Sequence, residues 1–198
     1  NSGAYSHYGI MQYGSELFKI EENTITNPNQ TIVNGGGIYV NNSNNSADEI
    51  YRNTIEYANT GLHIDGQTSY NSNEGLSVKC NQFQGDGSIL NYSMLLGTGT
   101  IFENQGLCQG ANQNPAANIL DNCGTGLQLY DFEIYSTSVS QGDITYHHSP
   151  NNAGVKFEPD CYENRLVLNP CAGITNYLTE CPTKVNAPHP QGKTNNPE

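Results

Sequence analysis

Three segments of the chain repeat one phrase. Phe18-Lys19-Ile20-Glu21-Glu22-Asn23-Thr24-Ile25 is echoed by Ile50-Tyr51-Arg52-Asn53-Thr54-Ile55 and by Val78-Lys79-Cys80-Asn81-Gln82-Phe83. In each, an apolar residue stands three positions before the Asn and another stands two positions after it. The Asn positions advance by 53 − 23 = 30 and 81 − 53 = 28 residues. A second phrase, Gly9-Ile10, Gly37-Ile38-Tyr39-Val40 and Gly61-Leu62-His63-Ile64, advances by 37 − 9 = 28 and 61 − 37 = 24. Two independent phrases with one shared step point to a chain that stacks similar units on one another, because a unit of this size cannot bury its apolar face alone.

Each unit reads as short strands. In Ile38-Tyr39-Val40 and Leu62-His63-Ile64 the apolar and polar residues alternate, which places one side chain inward and the next outward on a strand. The stretches between them, Asn41 to Ser46 and Gln67 to Asn73, are rich in Asn, Gly and Ser. Those residues tolerate the backbone angles of turns. No window carries a sustained helical stripe. The expectation is an all-β parallel β-helix, each coil covering the inward Ile, Leu, Val and Phe of its neighbour. Asn23, Asn53 and Asn81 would then fall at one corner of successive coils, where their amides can form a fully satisfied polar ladder.

The step loosens after about residue 90. Gly97-Thr98-Gly99-Thr100-Ile101-Phe102 and Gly124-Thr125-Gly126-Leu127-Gln128-Leu129 still read as coil starts, and Gln105 to Asn118 reads as a long excursion. From Val139 to Pro182 the pattern turns to Tyr, His, Pro and Cys, as expected of an irregular cap over the last coil. The expected organisation is coils over 1–138, a Cys-containing cap over 139–184, and a polar linker or tail over 185–198 that holds Pro188, Pro190 and Pro197.

Composition narrows the setting. Hydrophobic residues make up 35% of the chain and charged residues 13%, so the polarity comes from uncharged groups, with 28 Asn beside 21 Gly. Thirteen Tyr and five Phe argue for a folded chain rather than a disordered one. Nineteen acidic against seven basic residues leave a net charge of −12, which excludes a nucleic-acid partner on electrostatic grounds. The longest apolar run, Met94-Leu95-Leu96, is far short of the ~20 residues a membrane span needs. Six cysteines without C-x-x-C spacing speak for disulfides in an oxidising compartment and against zinc. The candidates are Cys108, Cys123, Cys161, Cys171 and Cys181; the expected arrangement joins Cys108 to Cys123 and two of the last three to each other. The chain opens at Asn1-Ser2-Gly3 without an initiator Met or a signal peptide, so a secretion signal is expected to have been removed or to lie upstream of a fragment.

Gly-Ile/Leu starts joined to an Asn-x-Ile/Phe corner resemble the right-handed parallel β-helix proteins related to pectate lyases, over most of residues 9 to 135. Phe102-Glu103-Asn104-Gln105-Gly106, Pro115-Ala116-Ala117-Asn118-Ile119, Tyr146-His147-His148 and Cys181-Pro182 further resemble surface proteins of Bacteroidota exported by type IX secretion. The resemblance implies a right-handed helix and an extracellular or cell-surface location.

The resemblance extends to polysaccharide lyases and glycosidases, and so implies catalysis as one expectation. A lyase needs a base beside a charge-neutralising group. Lys19, Arg52 and Lys79 form the only cationic row that the repeat suggests, but Lys19 is one step off the others and solubility of that face is the better explanation. Hydrolysis needs two carboxylates about 5 to 10 Å apart. Asp65 and Asp86 are candidates, with His63 on the face of Asp65, but Asp65-Gly66 and Asp86-Gly87 are also turn signals. No catalytic residue is assigned. His147-His148 point opposite ways on a strand and make a poor metal pair. A calcium ion between loop carboxylates would suit an acidic solenoid, but no EF-hand or nonapeptide calcium repeat occurs, so neither metal nor cofactor is assigned.

Tyr39, Tyr51, Tyr57, Tyr70 and Tyr92 offer rings on which sugars can stack. Of the predicted outward residues, Tyr39, Tyr51, Arg52 and Lys79 are the candidates for glycan contact. The expected function is a non-catalytic, secreted, cell-surface β-helix module for adhesion, glycan contact or surface-layer structure, its partners being polysaccharide, other surface proteins or further copies in a larger assembly. The alternative is a fragment of a polysaccharide lyase or glycoside hydrolase whose catalytic residues lie partly upstream.

Overall fold

The computed structural model describes residues 7–15, 17–27, 35–41, 48–71, 74–85, 92–100, 104–109, 112–120, 130–134, 144–151, 155–162, 166–171 and 181–182. Among them every helix or strand is a strand. Five strands, His7–Tyr13, Gly35–Asn41, Thr60–Gln67, Tyr92–Thr100 and Tyr130–Ile134, lie side by side in that order in one parallel sheet, the long sheet. Lys19–Glu21, Glu49–Tyr51 and Ser77–Lys79 form a first short parallel sheet. Thr24–Thr26, Thr54–Glu56 and Gln82–Gln84 form a second. The chain therefore visits the long sheet, then each short sheet, and returns to the long sheet one strand further on.

The registers align like with like. Ile20 faces Ile50, which faces Val78, in the first short sheet. Ile25, Ile55 and Phe83 align in the second. Ile10, Ile38, Leu62, Met94 and Phe132 align in the long sheet. All join a single apolar core. Each fully buried member contributes roughly 1.5 to 3 kcal/mol of transfer free energy, which is why side-chain type recurs at each level. The alternation expected of Ile38-Tyr39-Val40 and Leu62-His63-Ile64 is present, with the outer residues buried and the middle ones half-exposed.

The repeated Gly has a steric cause. A Cβ on Gly37 would lie 2.6 Å from Ile55 Cγ2 and 2.5 Å from the Gly61 carbonyl oxygen. A Cβ on Gly9 would lie 2.6 Å from Ile25 Cγ2, and one on Gly61 would collide with the Phe83 ring. The Gly of one phrase thus makes room for the apolar residue two places after the Asn of the other.

The corner between the two short sheets is a left-handed residue followed by Asn. Glu22, Arg52, Cys80 and Ala117 have φ of 56°, 57°, 62° and 50°, and Asn23, Asn53, Asn81 and Asn118 come next. Asn23 Nδ2 donates to Asn53 Oδ1 at 2.9 Å, Asn53 Nδ2 to Asn81 Oδ1 at 2.9 Å, and Asn81 Nδ2 to Asn118 Oδ1 at 3.0 Å. Each of those oxygens also accepts the backbone N–H of the Asn donating to it, at 2.9 to 3.0 Å. Asn118 Nδ2 continues to the Val78 carbonyl at 2.9 Å and the Tyr146 hydroxyl at 3.3 Å. The three Asn singled out by the repeat form this ladder, and Asn118 is a fourth member.

Asn118 shows that the stretch from Gln105 to Asn118 is only in part an excursion. The excursion is the antiparallel hairpin Asn104–Gln109 with Asn112–Pro115. Gln105, 1% exposed, accepts the Val78 N–H through Oε1 at 2.9 Å and donates Nε2 to the Leu76 carbonyl at 3.0 Å. A side-chain amide there does what a backbone peptide would do on the next level. Parallel pairing also extends into the stretch read as a cap, where Ile144–His148 pairs with Asn104–Gln109 of the hairpin on one side and with Leu166–Pro170 on the other.

Two disulfides tie later segments to earlier ones. Cys80 joins Cys181, with Cα atoms 5.6 Å apart, and Cys108 joins Cys171 at 5.3 Å. Cys108 is therefore not joined to Cys123, and neither Cys171 nor Cys181 pairs within the last three cysteines. Stacking explains the difference: it brings the corner residue Cys80 and the hairpin residue Cys108 against segments 101 and 63 residues away. Cys161 is disulfide-bonded as well, and Cys123 and the 185–198 tail lie outside the described residues.

Candidate functional site

The outward face of the first three long-sheet strands carries a cluster of rings. Register places Met11, Tyr39 and His63 in one row and Tyr13, Asn41 and Asp65 in the next. Tyr39 lies 5.1 Å from Tyr8, 5.3 Å from Tyr13 and 5.0 Å from His63, centroid to centroid. Met11 and Tyr13 on the flank are 50% and 57% exposed. Tyr8 reaches His63 across the strand between them. A Cβ on Gly36 would overlap the Tyr8 ring, so this Gly leaves the space through which the ring passes.

Polar groups bind the rings together. His63 Nε2 lies 3.1 Å from Asp65 Oδ2, and Tyr8 OH lies 2.6 Å from His63 Nδ1. A carboxylate only accepts, so Nε2 carries the proton; Nδ1 of the neutral ring then accepts the hydrogen donated by Tyr8. Tyr39 OH also donates to Asp65 Oδ2 at 3.0 Å and accepts from Asn41 Nδ2 at 3.1 Å. Burial lowers the His63 pKa below the usual histidine value, against the attraction of Asp65. Burial likewise pushes the Tyr39 hydroxyl up to about 12, opposed by the Asn41 hydrogen bond and helped by the Asp65 charge. At neutral pH the Tyr39 and His63 rings are thus both neutral, beside the Asp65 side chain. Chemically the cluster offers apolar ring surface, hydrogen-bonding groups, and a short proton path from Tyr8 through His63 to Asp65.

The other candidate residues fall elsewhere. Tyr51 points away from the core that holds Ile50 but is covered, at 6% exposure, and its hydroxyl donates to the Pro182 carbonyl at 2.9 Å. Arg52 Nη1 donates to the Cys181 carbonyl at 3.1 Å. Tyr51, Cys80, Ala117, Phe157 and Cys181 form a second apolar cluster over the corner, so a return of the chain occupies the surface assigned to glycan. Lys79 bonds the Asn114 side chain. Lys19, Arg52 and Lys79 do not make a row: Lys19 aligns with Glu49 and Ser77, Lys79 aligns with Tyr51, and Arg52 is the left-handed corner residue. His147 and His148 are buried. Asp86 and the Tyr70 side chain lie outside the described residues. Of the proposed contact residues only Tyr39 joins the ring cluster, together with the His63 and Asp65 considered for hydrolysis; Tyr8, Tyr13 and Asn41 were missed.

Among the described residues no group of three or more His, Cys, Asp or Glu could hold a metal ion, and no helix is long and apolar enough to cross a membrane. Fold and face together define an all-β, disulfide-bonded protein of successive parallel strands with an aromatic, carboxylate-bearing outer face. Comparison with protein-family models, with curated proteins and with solved structures gives no match to the chain.

Proposed function

We propose that this chain is a secreted, cell-surface, right-handed parallel β-helix module that contacts glycan through the outward face of its long sheet, and that it is not an enzyme. The β-helix reading is supported by parallel registers that advance one strand per return of the chain, and by the Asn ladder at their corner. Handedness follows the general rule for parallel crossovers. Two disulfides fit an oxidising, extracellular setting. The resemblance to pectate-lyase-related helices and to type IX secretion substrates of Bacteroidota points the same way.

The observation that carries glycan contact is the Tyr8–Tyr13–Tyr39–His63 ring cluster beside Asp65 and Asn41. Ring faces pair with the apolar faces of sugars, and flanking amides and carboxylates pair with hydroxyls. Affinity electrophoresis against a panel of soluble polysaccharides tests the reading. Retardation by at least one, lost on Tyr13→Ala and Tyr39→Ala, is expected; mobility unchanged by every polysaccharide rejects glycan contact.

The Tyr8–His63–Asp65 path favours a second reading, a polysaccharide lyase or glycoside hydrolase. Against it, the cluster has one carboxylate where hydrolysis needs two, and no cation from the described residues to neutralise a uronate. Release of unsaturated products or reducing ends, abolished by His63→Asn, would establish it. Size measurement in solution tests whether copies of the module assemble.

A further inference from the structure

We infer that Lys156 and Asp131 condense into a side-chain amide, a covalent cross-link between the fifth strand of the long sheet and a later segment, with Asp160 carrying the proton. The bond stands apart from glycan contact. Asp131 lies on Tyr130–Ile134, and Lys156 and Asp160 lie on 155–162. Backbone pairing fixes these segments against each other: the Asp131 N–H donates to the Cys161 carbonyl at 2.9 Å, and Phe132 bridges to Tyr162. Lys156 Nζ sits 2.7 Å from Asp131 Oδ2 and 3.1 Å from Asp160 Oδ2. The Asp160 backbone N–H donates to the same Asp131 oxygen at 2.8 Å.

Burial separates this pair from an ordinary ion pair. The Lys156 and Asp131 side chains are 12% and 4% exposed, whereas that of Lys19, 3.9 Å from Glu21 and 3.8 Å from Glu49, is 57% exposed and solvated. Withdrawal from water favours a neutral amine and a neutral acid over two charges, and a neutral lysine is a nucleophile. Burial raises the Asp131 pKa, against the charge of Lys156. The Asp160 side chain, 53% exposed, gives the site an outlet to solvent.

The step is a dehydration. One proton crosses from Lys156 Nζ to Asp131 Oδ2, and the freed Nζ lone pair attacks Asp131 Cγ. Asp160 takes a second proton from Nζ and passes it to Oδ2, which its own backbone N–H already holds. The Cγ–Oδ2 bond breaks and Oδ2 leaves as water. An ammonium and a carboxylate thus become one amide and one water, with no oxidant and no change in net charge. Amide formation is unfavourable between separate partners in water, but fixed geometry supplies effective molarities of about 10⁵ to 10⁸ M, which draws the reaction forward.

Intact mass spectrometry of the full chain, after reduction and alkylation of its cysteines, tests the inference. A mass one water below that of the sequence, about 18 Da, is expected. Chymotryptic digestion should then yield a fragment in which the Asp131 and Lys156 peptides stay joined. Lys156→Arg and Asp131→Ala should each bring the chain to its uncondensed mass, Arg keeping the charge without a nucleophilic amine. Asp160→Asn should leave most of the chain uncondensed. A parent chain at its uncondensed mass would overturn the inference whatever the variants do, and reduce the pair to a buried salt bridge. A loss of water that persists in Lys156→Arg, or that maps to other residues, would overturn it as well. Complete condensation in Asp160→Asn would overturn the part given to Asp160.

Discussion

Asn53 and Asn81 share one oxygen between two bonds: Asn81 Oδ1 accepts the Asn53 side-chain amide at 2.9 Å and the Asn53 backbone N–H at 3.0 Å. Both residues are fully buried, and Asn81 Nδ2 in turn reaches the Ile50 carbonyl at 2.9 Å. Removing one amide strands donors on one level and an acceptor on another.

Asn81→Ala and Asn53→Ala are therefore expected to cost roughly 3 kcal/mol each, since unsatisfied buried polar groups cost about 1 to 3 kcal/mol apiece. Asn23→Ala, at the half-buried end of the ladder, should cost about 1 kcal/mol. Urea unfolding followed by tyrosine emission, the chain having no Trp, measures the gradient. Equal costs at the three positions would speak against a ladder.

The Cys80–Cys181 disulfide spans 101 residues and holds the segment that caps Tyr51 and Arg52. Cys80→Ser, Cys181→Ser and the double variant should each lose about 2 to 5 kcal/mol, and by the same amount as one another, because each removes the one cross-link. Thermal unfolding of the three variants provides the check. A double variant much weaker than either single one would mean that the two cysteines act separately.

Small residues in the stack differ by what surrounds them. Gly37→Ala should destabilise by about 1 to 3 kcal/mol through the clash with Ile55 and the Gly61 carbonyl. Gly14 has φ of 55° and nothing within 4 Å of an added Cβ, so Gly14→Ala should cost only about 1 kcal/mol of backbone strain. Denaturation midpoints of the two variants show whether the order holds.

Stability should fall as pH drops below the ordinary histidine range. Burial lowers the pKa values of His63 and His147 in the folded state, with His148 adding to the shift at His147, so the unfolded chain binds more protons. Their contribution is complete above the unfolded value of about 6.5 and is lost as pH falls from there through the lower folded values. Unfolding free energies from pH 8 to pH 5 measure the slope. His63→Asn, which keeps an acceptor near Tyr8, should make it shallower, and an unchanged slope would remove His63 from the explanation.

Much of the stack was legible because neighbouring levels must match side chain to side chain. The step from Asn23 to Asn53 to Asn81 brought Ile20, Ile50 and Val78 into one row, and Ile25, Ile55 and Phe83 into another. Asn118 obeys the same local phrase, with Pro115 and Leu120 around it, but the hairpin widens its step to 37 residues and hid it. Cys80 and Tyr51 were misjudged because what covers them comes from residues 181 and 182, and no local spacing records so distant a contact. The ring cluster was half legible. His63 and Asp65 share a strand face by simple alternation, whereas Tyr8 reaches His63 only across the gap at Gly36, over a separation of 55 residues.

The central claim is that successive levels lie directly on one another, joined at the corner by Asn amides. The most direct measurement is the side-chain amide region of the nuclear magnetic resonance spectrum, assigned for Asn23, Asn53, Asn81 and Asn118. The account predicts slow exchange in deuterium oxide for the Asn53, Asn81 and Asn118 amides, and nuclear Overhauser contacts running 23 to 53, 53 to 81 and 81 to 118. Rapid exchange at Asn53 and Asn81, or contacts that skip a level, would contradict it.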